Sequence, residues 1–313
     1  MPITDTPLRY PGGKSQLTPV IVDILSRNNM LYGEYAEPFA GGAGIAMTLL
    51  LNNYVSGIYL NDIDPAIYSF WYSVLNHTEA LCELVQSVEV TIAEWHQQRA
   101  IFQTSCAKPY LQLGFATLFL NRTNRSGILK AGVIGGLDQT GNFKLDCRFN
   151  KSELTRKIRR IGEYRDQISL TSLDALKFIK TVLPKSAQQT LINLDPPYFR
   201  KGPELYTNFY NANDHVLLAK AVIRLKRRWI VTYDDTPEIR SLYSNYPLYS
   251  SSLNYSAQVK RVGVELLVAD PLLSLPDSFA STRVKVAAEP QVLHKAPRHV
   301  LSIIANAQEL PPN

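Results

Sequence analysis

An apolar run, Gln189–Leu194, stops against Asp195-Pro196-Pro197-Tyr198. Proline fixes φ and has no N–H to give to a β-ladder, so two in succession end a strand abruptly. The run therefore reads as a strand whose carboxyl end presents the Asp195 carboxylate and the Pro196 carbonyl as acceptors. That is the edge at which α/β sheets bind ligands. Pro197 and Tyr198 add flat apolar faces beside them. Two acceptors next to a stacking ring suit an exocyclic amino group on a flat base. Such an amine is a poor nucleophile because its lone pair is delocalised into the ring. Accepting both of its hydrogens favours a pyramidal nitrogen, aims the lone pair and stabilises the positive charge that develops. A bare Pro-Pro would read as a strand-ending turn and nothing more; the full tetrad after such a strand favours an amine site.

The rest of the chain supplies the sheet. Glu34–Phe39 reads as a strand, Gly41–Gly44 as a glycine turn, Ile45–Asn52 as a helix start, and Gly57–Leu60 as a second strand ending in Asn61-Asp62. Strand, glycine turn, helix, strand and terminal acid is the first half of a dinucleotide-type α/β sheet. The pattern resumes with a strand at Ile168–Leu170 and a helix at Leu173–Leu183. A helix at Asp214–Lys226 and strands at Arg228–Tyr233 and Val264–Ala269 follow the Asp-Pro-Pro-Tyr run. The stretch 67–165 between the halves differs. It opens with helical periodicity, passes through a Gly-, Asn- and Arg-rich middle, and closes on a basic segment with Leu154, Ile158 and Ile161 on one stripe. The expected organisation is a catalytic domain in two parts, 1–66 and 166–270, an inserted domain at 67–165, and a Pro-rich tail at 271–313, open between a short helix at Leu301–Ala307 docking on the body and a segment that binds a partner.

Glu37-Pro38-Phe39-Ala40-Gly41-Gly42-Ala43-Gly44 follows the first strand and opens a helix. Glycines there let backbone approach a ligand, with helix-start N–H groups available to it. Asp62 lies 62 − 42 = 20 residues after Gly42, where an acid grips the hydroxyls of an adenosine ribose. Pro11-Gly12-Gly13-Lys14-Ser15 invites a phosphate-loop reading, but the position that needs glycine is Leu8. Lys14 instead reads as a cation near a ligand carboxylate.

The chain has 313 residues and a net charge of +6, with bases clustered in Lys151–Arg165 and Arg224–Arg228, a balance that fits a polyanion partner. Its 45% hydrophobic content suits a folded protein. Cys82, Cys106 and Cys147 lack C-x-x-C spacing and the histidines form no H-E-x-x-H, so neither a disulfide framework nor a metal is expected. No apolar run reaches the length of a membrane span, and Met1–Gly13 lacks a signal-peptide pattern, so a soluble cytoplasmic protein is expected.

Arg9-Tyr10-Pro11-Gly12-Gly13-Lys14, Glu37-Pro38-Phe39-Ala40-Gly41-Gly42, Asn61-Asp62-Ile63-Asp64, Asn121-Arg122-Thr123-Asn124-Arg125-Ser126-Gly127 and Asp195-Pro196-Pro197-Tyr198 occur in one order along residues 8–270. In these motifs the chain resembles the Dam-type DNA adenine methyltransferases, which transfer a methyl group from S-adenosylmethionine to adenine N6. The resemblance implies a Rossmann-like methyltransferase sheet, α/β and mostly parallel with one late antiparallel strand near Val264–Ala269, plus an inserted target-recognition domain of helices and a β-hairpin. It implies a site-specific, adenine-specific DNA methyltransferase acting on double-stranded DNA by base flipping, with S-adenosylmethionine as cofactor. Tyr10, Gly13, Lys14, Glu37, Phe39, Gly41, Asp62, Asp174 and Asp195 would hold that cofactor. Asp195, Pro196, Pro197 and Tyr198 would carry the chemistry, with the target adenine stacked on Tyr198. Arg9, Asn121, Arg122, Arg125, Ser126 and Lys130 would meet the DNA, the last five on a hairpin beginning at Asn121–Lys130.

The chain departs from the family pattern in two places. Ala43 stands where a further glycine is common, and Arg125, Ser126 and Lys130 stand where GATC-methylating members carry an aromatic, Asn and Arg. Lysine is a point charge rather than a planar fork, so GATC recognition is left open. Cytosine N4 methylation, or a non-catalytic module of the same fold binding cofactor and DNA, are the competing readings. A restriction or defence partner is likewise left open.

Overall fold

The computed structural model describes residues 5–9, 14–104, 110–200, 210–255, 261–277, 279 and 284. Tyr10, Gly13, Cys106 and the tail segment Leu301–Ala307 lie outside the described residues. Among those described, the strands are β1 (Glu34–Glu37), β2 (Gly57–Asn61), β3 (Ile168–Thr171), β4 (Thr190–Leu194), β5 (Arg228–Asp234), β6 (Leu248–Tyr255) and β7 (Arg261–Ala269). They form one sheet in the order β3-β2-β1-β4-β5-β7-β6. The first five pair parallel, and β7 runs antiparallel to both β5 and β6, as the sequence predicted for the late strand. This is an α/β, Rossmann-like sheet. Every residue of β4 is buried, which explains its mostly apolar sequence, Leu191, Ile192 and Leu194 with Thr190 and Asn193 between them: helices cover both faces of a central parallel strand.

The helices are α1 (Thr18–Arg27), α2 (Gly44–Leu51), α3 (Pro65–Asn76), α4 (Thr78–Ser87), α5 (Ile92–Thr104), α6 (Tyr110–Thr123), α7 (Lys151–Gly162), α8 (Ala175–Thr181), α9 (Ala212–Val222) and α10 (Pro237–Leu242). One hydrophobic cluster joins Ile21 of α1 and Leu49 of α2 to Trp71 of α3, Phe119 of α6 and Ile158 of α7. The helices between β2 and β3 therefore share the core of the sheet's one face rather than closing a core of their own. On the other face, Phe178 of α8, Leu218 of α9 and Trp229, Tyr233 and Tyr243 form a second cluster.

Helix α7 buries the predicted stripe, with Leu154 at 1% and Ile158 and Ile161 at 0% exposure. Its bases are not a bare polyanion surface. Arg156 and Lys157 pair with Glu153, Arg159 with Glu79, and Arg160 with Asp5. The second basic cluster is similarly engaged: Arg227 donates to the carbonyls of Pro184, Ser186 and Ala187, and Arg228 pairs with Asp270. Exposed pairs of this kind stabilise little, but they do cancel charge.

The hairpin expected after Asn121 is present only as its base. Helix α6 continues to Thr123, and Asn124 then forms a single antiparallel bridge with Val133. Between them a 3-10 turn runs through Arg125–Gly127, with Ser126 at φ +57° and Gly127 at φ +75°. A side chain, rather than a ladder, holds this excursion. The fully buried Asn124 accepts from the Trp95 indole (2.7 Å) and donates to the carbonyls of Ile128 (3.1 Å) and Leu129 (2.9 Å). Asn124→Ala leaves one donor and two acceptors without these partners. It should lower the free energy of unfolding by on the order of 2–4 kcal/mol, read from urea denaturation with the wild-type m-value.

Candidate active site

Parallel pairing brings the carboxyl ends of β1, β2, β4 and β5 to one edge. The strand order reverses between β1 and β4, and a crevice opens at such a switch point. Glu37 ends β1, Asp62 follows β2 and Asp195 follows β4, so three of the residues singled out in the sequence converge there.

The glycine turn enters α2 through two left-handed residues, Gly41 (φ +47°) and Ala43 (φ +45°). Alanine in that region costs about 1 kcal/mol, so the turn is held from outside. The Trp71 indole donates to the Gly41 carbonyl (2.9 Å), and the Gly41 N–H donates to Asp62 Oδ2 (2.8 Å). Asp62 Oδ1 accepts the Asp64 N–H (2.9 Å). Beside it Asn61, 1% exposed, donates to the carbonyls of Pro38 (3.0 Å) and Leu173 (2.9 Å) and accepts from Thr171 Oγ1 (2.8 Å) and the Leu173 N–H (2.9 Å). One amide thus ties together the loops after β1, β2 and β3. Those loops line a cavity of about 340 Å³, with Phe39, Ile63, Leu173 and Tyr210 as apolar wall and Asp174 and Asp214 as acids. Asp174 also caps α8 through the N–H groups of Leu176 and Lys177.

Across the switch point a buried relay links β4 to β1. Asn193 donates to the Tyr35 hydroxyl (2.8 Å), which donates to Glu37 Oε1 (3.1 Å). Burial pushes the Glu37 carboxyl up to about 8, with the negative charge of Asp195 adding and the Tyr35 bond opposing. Burial likewise raises the Asp62 carboxyl to about 7, the Asp64 charge adding and the two backbone N–H bonds opposing.

Asp195 Oδ1 accepts from Thr232 Oγ1 (2.8 Å) and lies 3.2 Å from the Lys14 ammonium. No protein donor reaches Oδ2 among the described residues, and the side chain is 27% exposed. Pro196 and Pro197 are buried behind it. Lys14 differs from expectation. It lies 2.9 Å from Glu265 Oε1, donates to the Tyr198 hydroxyl (2.8 Å) and is 7% exposed, so its ammonium meets protein carboxylates rather than a ligand's. Tyr198 is 8% exposed with its hydroxyl donating to Glu265, which anchors the phenol inside the protein instead of leaving an open stacking platform.

Of the residues expected at DNA, Arg125 and Lys130 are exposed and Arg9, Arg122 and Ser126 half-buried, all on or beside the 124–133 excursion. Asn121 is 1% exposed and faces inward. It accepts the Arg9 N–H (2.7 Å) and donates to the carbonyls of Arg9 (2.8 Å) and Gly127 (2.9 Å). A Cβ at Gly127 would sit 2.3 Å from the Arg9 carbonyl oxygen, so only glycine lets the two segments touch. Arg122 donates to the Pro7 carbonyl (2.7 Å), and burial with Arg9 nearby lowers its guanidinium to about 10, still charged near neutrality. Arg9 Nη1 is buried with no hydrogen-bond partner among the described residues.

Sequence reasoning left Tyr35, Asn193, Thr232 and Glu265 without roles. Glu265 had a signal, since a lone acid inside Val264–Ala269 is a charge the strand would have to bury and pair. Among the described residues no group of three or more metal-ligating side chains comes together, and no helix is long and apolar enough to cross a membrane.

This sheet order, with an acid after β2, a glycine turn after β1 and Asp-Pro-Pro-Tyr after β4, defines a Rossmann-like methyltransferase. The model of one family matches residues 10–257, most of the chain, and its description is the D12 class N6 adenine-specific DNA methyltransferases. The protein belongs to that family. No curated protein matches the chain.

The raised carboxyls make the ligand-free protein sensitive to pH. Folded Asp62 and Glu37 hold protons more tightly than the unfolded chain does, so their protonation favours folding. That contribution fades as pH climbs from the ordinary carboxylate range through about 7 and about 8. Glu37→Gln keeps an acceptor for Tyr35 and removes the charge. In thermal unfolding of the ligand-free protein, its midpoint should lie closest to wild type near pH 4.5 and exceed it by a margin that grows toward pH 9.

Proposed function

We propose that the protein methylates N6 of an adenine extruded from double-stranded DNA, with S-adenosylmethionine as the methyl donor. The observation that carries this reading is the state of Asp195 at the end of β4: Thr232 and Lys14 meet Oδ1, no donor among the described residues meets Oδ2, and the side chain is 27% exposed. An amino group donating to Oδ2 and to the Pro196 carbonyl would lose its planar conjugation and direct its lone pair. The same carboxylate is a base in place for the proton that N6 releases. Inside a duplex the amine is paired and stacked, so it reaches a strand-end carboxylate only by flipping out, at a cost of roughly a few kcal/mol.

The donor set fits the cofactor. Asp62 has unused lone pairs for the ribose hydroxyls beyond the two backbone N–H groups it accepts. Glu37 and Gly41 flank the turn where an ammonium would be held, and the walls of Phe39 and Leu173 with Asp174 suit a flat base. Tyr10 and Gly13 join this set by the family motif, and Lys14 acts through Asp195. When bound, the cofactor supplies an electrophilic methyl group on a sulfonium centre. The chain's own part is to bind it among acids, to hold the amine and to keep water from the crevice, with buried Tyr198 closing one side.

Arg9, Arg122, Arg125, Ser126 and Lys130 would meet the DNA, and Asn121 would position Arg9 through its backbone. The buried, unpartnered Nη1 of Arg9 suits an acceptor on DNA. If that acceptor is a phosphate, Arg9→Ala should weaken binding at all sequences and reduce the slope of log affinity against log salt by about 1.

Asp195→Ala should abolish methyl transfer, a fall of at least about a thousandfold, while cofactor affinity by calorimetry stays within about tenfold. Base analysis of DNA treated with wild type should show N6-methyladenine. N4-methylcytosine, no modified base, or retained activity in Asp195→Ala would each overturn the assignment.

A further inference from the structure

Lys14, Asp195, Tyr198 and Glu265 close into one buried cluster. The Lys14 ammonium stands between two carboxylates, 3.2 Å from Asp195 Oδ1 and 2.9 Å from Glu265 Oε1, and donates to the Tyr198 hydroxyl at 2.8 Å. That hydroxyl in turn donates to Glu265 Oε1. Glu265 is 3% exposed, and its Oε2 is buried with no hydrogen-bond partner among the described residues. An incompletely bonded buried carboxylate is costly. Strand β7 does not need it, because at Glu265 its backbone already pairs with β5 on one side, opposite Asp234, and with β6 on the other, opposite Ser251. A glutamine or an apolar residue would fill the position at lower cost, so the acid asks for a reason in the site.

The reason lies in the charge balance around Asp195. Lys14 alone beside Asp195 would make a neutral pair, with the carboxylate's charge spent on the ammonium. Glu265, 3% exposed, supplies a second carboxyl group to the same ammonium. Burial favours the neutral Glu265 carboxyl and the Lys14 ammonium opposes it. With both carboxylates ionised the cluster carries a net charge of −1, and that excess is available at Asp195, where a positive charge would grow on the amine. Tyr198, bonded to both Lys14 and Glu265, fixes the spacing between them.

We infer that Glu265 is a positioning residue for methyl transfer: it draws the Lys14 ammonium into a shared position, so that Asp195 faces the target amine as a charged acceptor. This inference rests on the role of Asp195 proposed above. Glu265 touches neither the amine nor the cofactor in this scheme and acts through Lys14.

The test is a set of variants of the full chain, read in single-turnover methylation of duplex DNA and by calorimetric binding of S-adenosylmethionine. Glu265→Gln should slow transfer by about 10- to 100-fold while the cofactor Kd stays within about threefold. Glu265→Asp, which disturbs packing more but keeps the charge, should be faster than Glu265→Gln. In Lys14→Met/Glu265→Gln the unshared ammonium is gone, so transfer should recover by several-fold relative to Glu265→Gln alone. A merely structural residue would give the opposite order, with the double variant slowest and affinity falling together with rate. That order, a Glu265→Gln rate within twofold of wild type, or an aspartate variant no faster than the glutamine one would overturn the inference. Should Glu265→Gln fail to fold, the aspartate variant decides alone, by transfer within about tenfold of wild type or by its loss. An inactive wild type would sink the assigned reaction and this inference with it, whereas an active wild type with an unimpaired Glu265→Gln sinks only the latter.

Discussion

Parallel pairing forces the ends of β1, β2, β3, β4 and β5 to one edge, and the chemistry of this protein follows from what the sequence puts there. A parallel ladder needs a crossover between every pair of strands, so each strand end is followed at once by a turn into a helix or a long connection. Glu37 ends β1, and the connections after β2, β3 and β4 carry Asp62, Asp174 and Asp195. Each is fixed by its place on the backbone and by a few donors: the Tyr35 hydroxyl for Glu37, the Gly41 N–H for Asp62, the Leu176 and Lys177 N–H groups for Asp174, and the Thr232 hydroxyl with the Lys14 ammonium for Asp195. Losing the register of one strand would displace one acid and the donors that bind its neighbours.

Crowding acids at a partly closed edge has an electrostatic consequence. Glu37 and Asp62 are held near neutrality by burial, and a cationic ligand is what such an edge lacks. At the Asp195 end the protein supplies its own cation, Lys14, and then limits that cation's influence with Glu265. The two ends thus differ in kind. One is a receptor for positive charge, and the other is a carboxylate with an internal counter-ion, set to keep one oxygen available. In the function proposed above, the same residue type would serve for binding and for catalysis because its surroundings differ.

Much of this was legible in the sequence, for identifiable reasons. Prolines at 196 and 197 and the glycines at 41 and 42 fix backbone geometry locally, so they announce a strand end and a turn without help from distant residues. Strand β4 shows itself through burial on both faces. Strand β6, Leu-Tyr-Ser-Ser-Ser-Leu-Asn-Tyr, was not read because an edge strand carries little apolar pattern; its existence is decided by β7. The link from Glu265 to Lys14 was invisible for a related reason. It joins residues 251 positions apart, and only the antiparallel arrival of β7 at the end of β5 makes them neighbours. The hairpin expectation fell short because Asn124 looks like a turn residue but works as a buried clasp for its loop.

Charge in the sequence was a poorer guide than geometry. The densest basic run, Lys151–Arg165, is balanced by Glu79, Glu153, Asp5 and Asp166, and its apolar stripe explains why the run is a helix at all. Arg9, Arg125 and Lys130 are scattered along the chain but gather at one excursion, since Gly127 admits the Arg9 backbone and Asn121 clips it there. None of the three has an ion pair among the described residues, and Lys130 stands close enough to the sheet's acid edge for its charge to favour ionised Asp64. A polyanion is drawn to cations that the protein has not already satisfied, so the DNA contact proposed above rests on Arg9, Arg125 and Lys130 rather than on the dense run on α7.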